Sequence, residues 1–160
     1  MADVVLLEVV DRVATVTLNR PRARNAMSSE LIATLRRLVA DADNRDDVDV
    51  LILTGADPAF CAGLDLKELG HDGGPLKGLV RSDETADDDR SARSPRGRGT
   101  TLPTSKPIIG AVNGVAVTGG LELALNCDFL VASDRARFAD THARVGVHPL
   151  WGLTVLLPRP

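Results

Sequence analysis

Ile108-Ile109-Gly110-Ala111-Val112, Asn113-Gly114, Val115-Ala116-Val117, Thr118-Gly119-Gly120 and Leu121-Glu122-Leu123-Ala124-Leu125-Asn126 follow one another without a break. The first group is an apolar run of strand length and reads as a buried strand. Asn113-Gly114 is a turn signal. Val115 to Val117 is a second short strand. Gly119-Gly120 then opens a helix that runs through Asn126. Strand-then-helix units recur along the chain, which argues for an α/β fold with crossover connections.

Upstream, Lys106-Pro107 restarts ordered sequence after residues 81–101, which contain no Val, Ile, Leu, Met, Phe or Trp. That segment carries five Arg, five acidic residues and one Pro. It lacks the apolar surface that offsets the entropy of ordering, and is expected to be a flexible loop of lid type, not a domain linker. Val50 to Leu53 is a short apolar strand ending at Thr54-Gly55, and residues 56–70 read as a loop running into a helix. Asp41 to Asp49 reads as a polar loop. Before it, Ser28 or Ser29 caps a helix with Glu30 in its first turn. Leu31, Ile32, Leu35, Leu38 and Val39 give that helix one apolar face. Val4 to Val9 and Val13 to Leu18 are strands joined by a tight turn at Asp11-Arg12, and Pro21 ends the second. Downstream, Phe129 to Ala132 is a further strand. Val155 to Pro160 shows neither a terminal helix nor a capping signal, so a chain of this kind is expected to continue. There is no internal repeat, and residues 1–160 read as one domain, C-terminally truncated.

The 160 residues are enough for a core. A net charge of −3 and a pI of about 5.6 argue against nucleic acid or an anionic membrane as partner. Cys61 and Cys127 lie in apolar stretches and do not make a disulfide framework, so they are expected as reduced core thiols. The N-terminus lacks the basic and apolar regions of a signal peptide. No apolar run reaches the ~18 residues of a spanning helix. A soluble, cytoplasmic protein is expected. His71, His142 and His148 have no Cys or His partners at ligand spacing, so no metal is expected.

Two segments carry chemistry. One is Ala59-Phe60-Cys61-Ala62-Gly63-Leu64-Asp65-Leu66-Lys67; the other is Asn113 through Glu122. Each runs through small residues into a helix start, where backbone N–H groups lack intrahelical partners. Two such ends facing each other hold a carbonyl oxygen between two donors, and one such donor is typically worth ~3 kcal/mol in the transition state. The plainer reading gives each glycine to a tight turn or to helix packing. Neither segment is a nucleotide-binding motif. Glu122 sits within an apolar stretch three positions after Gly119. Two readings fit it: a partly buried general acid/base, or a first-turn charge that complements the helix dipole.

Taken together, these residues resemble the crotonase superfamily, the enoyl-CoA hydratase/isomerase family, over nearly the whole chain outside residues 71–101. Val16-Thr17-Leu18-Asn19-Arg20-Pro21 with Arg24-Asn25-Ala26 resembles the family's opening. Leu53-Thr54-Gly55 through Lys67 resembles its first oxyanion segment. Lys106 through Gly114 with Gly119 through Asp128 resembles its second. The resemblance implies a crotonase-like (ClpP/crotonase) spiral of ββα units. It implies that the N–H groups of Leu64 and Gly119 polarise a thioester carbonyl. It also implies a CoA site made by Ala23, Ala62, Leu64, Asp65, Leu66, Lys67 and Gly119. Acyl-CoA would be the substrate, with no further cofactor, in a fatty-acid pathway such as β-oxidation. The assembly would be a trimer or hexamer.

Two departures stand out. Of the family's two glutamates the first matches Glu122, but the second falls on His142, with Asp140 close by in sequence. An imidazole moves protons near neutral pH, so it can replace a carboxylate or mark altered chemistry. The family's chain also continues for roughly another hundred residues, a usual domain increment. Three functions are compatible with this sequence. One is an enoyl-CoA hydratase-like lyase using Glu122, His142, Leu64 and Gly119. Another is an isomerase or thioester hydrolase, isomerisation being disfavoured by the histidine. The third is a catalytically impaired CoA-binding fragment.

Overall fold

The computed structural model describes residues 3–70, 102 and 104–157. The segment 81–101, expected to be a flexible loop, lies outside them. The chain opens with an antiparallel pair, β1 (Val5–Val10) and β2 (Val13–Leu18), in register from Val5↔Leu18 to Val10↔Val13. Asp11 and Arg12 turn between them with φ of 49° and 67°, the positive values that a two-residue hairpin loop requires. Arg12 is fixed there by a two-pronged ion pair with Asp49, both contacts at 2.6 Å.

Helix α1 (Ser29–Asp43) starts where the sequence offers a cap: the Ser28 side chain accepts the Leu31 N–H at 3.2 Å. Leu31, Leu35 and Val39 are buried, and Ile32 and Leu38 pack partly against the core. The helix extends into the stretch read as polar loop because Ala42 is fully buried and Asp43 has work at the end. Its Oδ1 accepts the Thr104 hydroxyl at 2.6 Å and the N–H groups of Ser105 and Lys106. That clamp brings the chain back to the sheet just before it re-enters as a strand.

Three ββα turns then stack. The first is β3 (Val50–Gly55), β4 (Ala59–Cys61) and α2 (Leu66–Leu69). The second is β5 (Ile108–Val112), β6 (Val115–Val117) and α3 (Gly119–Leu125). The third is β7 (Phe129–Ala132), β8 (Arg137–Ala139) and α4 (His142–Val145). A last single turn, α5, covers Leu153–Leu156. The first strand of each turn joins a five-stranded sheet ordered β1-β2-β3-β5-β7; the second joins a three-stranded sheet ordered β4-β6-β8. Every pairing after β1–β2 is parallel. This is the expected spiral. Four elements differ from the sequence reading. β4 lies in what read as loop, β8 and α4 were not anticipated, and α5 stands where no terminal helix was expected. All have three or four residues, so neighbouring turns decide their conformation more than their own propensity does.

The core lies between the larger sheet and α1, and continues between the two sheets. Ala14, Val16 and Leu18 alternate inward on β2, as do Leu51 and Leu53 on β3. Cys61 and Cys127 are both free and buried, and burial pushes the Cys61 thiol up to about 12.

One approach between turns is tighter than any side chain allows. A Cβ built on Gly120 would stand 2.1 Å from the Cys61 carbonyl oxygen. The start of α3 therefore lies directly on the end of β4. The loop after β2 is fastened just as firmly. Asn25, fully buried at φ 57°, gives both amide hydrogens to Ala56 O and Ala59 O, and its Oδ1 accepts the Arg20 N–H. Arg20 reaches Asp65 Oδ2 at 2.8 Å, while Asp65 Oδ1 caps α2 through the Lys67 N–H.

Gly120→Ala should cost at least about 2 kcal/mol, the usual scale for forcing an atom into filled space, measured by chemical denaturation; full retention of stability would refute the close packing. Partial burial opposes the charges of Asp65 and Asp43. The hydrogen bonds from Arg20 and the Lys67 N–H, and from Thr104, Ser105 and Lys106, outweigh it and hold both carboxyls below the ordinary aspartate value. The stability they lend is complete above the unfolded value, ~3.9, and is lost as pH falls through their lowered folded values. Asp65→Asn should therefore make unfolding free energy less steep in pH below ~4 than in the wild type.

Candidate active site

The parallel register of β4, β6 and β8 brings three strand ends to one edge. Ala59 pairs with Val115 and Cys61 with Ala116; Val115, Ala116 and Val117 pair with Arg137, Phe138 and Ala139. The residues that follow these strands are Ala62 to Asp65, Thr118 to Glu122, and Asp140 to His142. Leu64, Gly119, Glu122 and His142, singled out from sequence, line one cleft of about 260 Å³ together with His148, Leu150 and Trp151.

The first donor is freed by strand geometry. Met27 bridges Leu64 in parallel fashion: the Met27 N–H donates to Gly63 O at 2.8 Å, and the Asp65 N–H donates to Met27 O at 3.0 Å. The Ala62 N–H is taken by Arg24 O. In such a bridge the middle residue turns its own N–H to the other side, and among the described residues the Leu64 N–H has no hydrogen-bond partner. The second donor lies at a helix start. Thr118 takes φ 54° and ψ −126°, a positive-φ setting that a β-branched residue rarely adopts. It is held by its N–H to Ala139 O at 3.1 Å and by a short hydroxyl contact with Thr141. Its carbonyl receives the N–H groups of Leu121 and Glu122, leaving that of Gly119 unengaged among the described residues. Gly63, at φ +91°, makes the two segments neighbours: a Cβ there would lie 3.3 Å from Gly119 N.

Glu122 is 3% exposed and is not a solvated first-turn charge. Its Oε1 accepts the Trp151 N–H at 2.7 Å and the Leu153 N–H at 3.2 Å. Its Oε2 lies 3.2 Å from His142 Nε2. His142 is 4% exposed, and its Nδ1 lies 2.6 Å from Asp140 Oδ1. Asp140 is half exposed and outside the cleft lining. Donation from the His142 backbone N–H, then from its ring, holds the Asp140 carboxyl below the ordinary value. Glu122 and His142 are thus in direct contact.

The remaining expected residues do not line the cleft. Ala23 sits in a short 3-10 turn, Pro21–Ala23; the next residue, Arg24, accepts the Ala62 N–H, and Leu66 and Lys67 are exposed. Asp65 has both carboxylate oxygens engaged within the chain. Trp151, Leu153 and Thr118 were not anticipated. Trp151 had a signal in being the sole Trp of the chain, next to a glycine. Among the described residues no helix is long and apolar enough to cross a membrane, and no cluster of His, Cys, Asp or Glu is placed to hold a metal ion.

The profile of the Enoyl-CoA hydratase/isomerase family matches residues 8–160. "Probable enoyl-CoA hydratase 1, peroxisomal" of Arabidopsis thaliana is 42% identical over 147 residues, covering 92% of this chain and 51% of that protein. Among solved structures, an enoyl-CoA hydratase from Mycobacterium smegmatis is 51% identical with a TM-score of 0.76, over 98% of this chain and 59% of that one. One from Geobacillus kaustophilus is 35% identical with a TM-score of 0.77, over 96% and 55%. The chain thus spans about half the length of the curated relatives it matches. With these matches and the ββα spiral, the chain belongs to the enoyl-CoA hydratase/isomerase family and has the crotonase fold.

Proposed function

We propose that this chain carries the catalytic half-site of an enoyl-CoA hydratase-like lyase, which adds water across the α,β double bond of an acyl-CoA thioester. The observation that carries this reading is the contact of Glu122 Oε2 with His142 Nε2 at 3.2 Å, inside a cleft shared with the unengaged N–H groups of Leu64 and Gly119. The thioester oxygen accepts from both N–H groups, which stabilise the enolate as charge builds on that oxygen. Glu122 Oε2 takes a proton from water as the water oxygen bonds to the β carbon. The pair's own proton leaves His142 Nε2 for the α carbon as the enolate collapses. The proton now on Glu122 then passes to His142 Nε2, restoring the pair. The hydroxyl ends on the β carbon and the hydrogen on the α carbon, so the water is fully accounted for.

In this reading the acyl chain enters the cleft and the nucleotide lies outside it, against Ala23, Ala62, Asp65, Leu66 and Lys67. A step of β-oxidation and a cytoplasmic location belong to the same proposal. So does assembly as a homo-oligomer, trimer or hexamer. It is supported by Phe129 and Val131, over half exposed on the edge strand β7, and by Phe138 on β8.

Hydration of a short enoyl-CoA is followed by loss of the conjugated enoyl-thioester absorbance. Glu122→Gln keeps the shape but removes the base, and should lower kcat by about 10²–10⁴; full activity in that variant would sink the mechanism. Light scattering should show self-association that weakens in a Phe129→Ser, Val131→Ser double variant. A monodisperse monomer for both proteins would remove the oligomer.

A further inference from the structure

The ring of His142 lies between two carboxyl groups from different turns of the spiral. Asp140 Oδ1 is 2.6 Å from Nδ1, and Glu122 Oε2 is 3.2 Å from Nε2. We propose that Asp140 is a positioning residue that fixes the proton of His142 on Nδ1 and thereby aims Nε2 at Glu122. Two acceptors do not bond to each other, so a ring nitrogen 2.6 Å from a carboxylate carries the hydrogen. The same carboxylate oxygen also accepts the His142 backbone N–H at 3.1 Å. It therefore fixes both the main chain that presents the ring and the ring's rotation. On the far side, Glu122 Oε1 is already engaged by the N–H groups of Trp151 and Leu153. Only Oε2 is left to exchange a proton with the ring. With Nδ1 occupied, a single exchangeable proton is left for the pair of Nε2 and Oε2, which lie 3.2 Å apart.

The catalytic consequence rests on the hydration reading. Without Asp140, the neutral ring can carry its hydrogen on Nε2 and donate it to Glu122. In that tautomer no hydrogen remains on the ring once Nε2 gives its proton to the α carbon, and the imidazolate left behind makes that step unfavourable. Asp140 acts on this from outside the cleft, with its side chain half exposed. The titratable groups that face or neighbour the His142 ring are Asp140, Glu122 and, across the cleft lining, His148.

The test reads the ring directly. Long-range ¹H–¹⁵N spectra of the chain labelled at histidine report which ring nitrogen bears hydrogen, with His71→Gln and His148→Gln used to assign His142. In the wild type, the His142 Nδ1 signal should be that of a protonated nitrogen throughout the range where the ring is neutral. Asp140→Ala should shift the ring toward the Nε2–H tautomer. Asp140→Asn, which keeps an oxygen acceptor without the charge, should fall between. Asp140 is at the surface, so circular dichroism spectra should be unchanged in both variants. In the hydration assay, Asp140→Ala should lose at least about tenfold in kcat with KM within about twofold. Asp140→Asn should lose less. An unprotonated Nδ1 in the wild type, or the same tautomer in Asp140→Ala, overturns the proposal. If the tautomer shifts as expected but no form of the chain hydrates enoyl-CoA, the hydration reading fails while the role of Asp140 stands.

Discussion

The arrangement of the site depends on how closely the start of one helix can lie on the end of a strand from the preceding turn. At residue 120 the space toward the Cys61 carbonyl is smaller than a carbon atom needs, and only a hydrogen fits there. Because α3 can sit so low, the N–H of Gly119 comes beside the segment that presents Leu64, and Glu122 enters the same cleft one helical turn later. Thr118 holds an unfavourable backbone setting immediately before this point. Strain of this kind persists where surrounding bonds over-determine it, and here the bonds run to Ala139 and Thr141 of the next turn. The two donors and the acid/base pair are therefore parts of one packed joint.

Burying two ionisable side chains is unfavourable unless each polar atom is satisfied. Glu122 and His142 meet that condition with partners from distant parts of the sequence: two backbone N–H groups near Trp151, each other, and Asp140. Glu122 thereby ties the last described segment of the chain to the middle of the spiral. The first donor is supported differently. The Asn25 amide and the Arg20–Asp65 pair bind the loop after β2 against the strand that leads to Leu64. Asp65 lies in the stretch compared with the family's CoA-binding segment, yet its carboxylate is committed to this framework.

Much of this was legible in the sequence. The apolar strand at 108–112, the Asn113-Gly114 turn and the Gly119-Gly120 helix start define one whole ββα turn, and the motifs flanking it gave the family. The order of the motifs also named Leu64, Gly119, Glu122 and His142. What was hidden depends on three-dimensional neighbours. β8 is an exposed run of three residues that becomes a strand because Val115 to Val117 lie beside it. The end of α1 was read as loop because its last residues are acidic, while in the fold Asp43 collects the hydrogen bonds of Thr104 to Lys106. The direct contact between His142 and Glu122 was missed for a similar reason. The order of motifs names positions that share a site, but not whether two of them touch across it.

The two donors are main-chain groups, whereas the proton-handling groups are side chains. Replacement of Leu64 by another residue of similar size leaves an N–H in the same place, because the bridge to Met27 sets its direction. Replacement at 142 alters which atom carries a proton. The scaffold thus separates what mutation can vary from what it leaves untouched. On the function proposed above, binding of a polarised carbonyl would depend on the backbone, and reaction type on a few side chains at strand ends. His142, with Asp140 two residues before it, is one such side chain: it stands at a strand end, where a different residue would change the chemistry without rebuilding the fold.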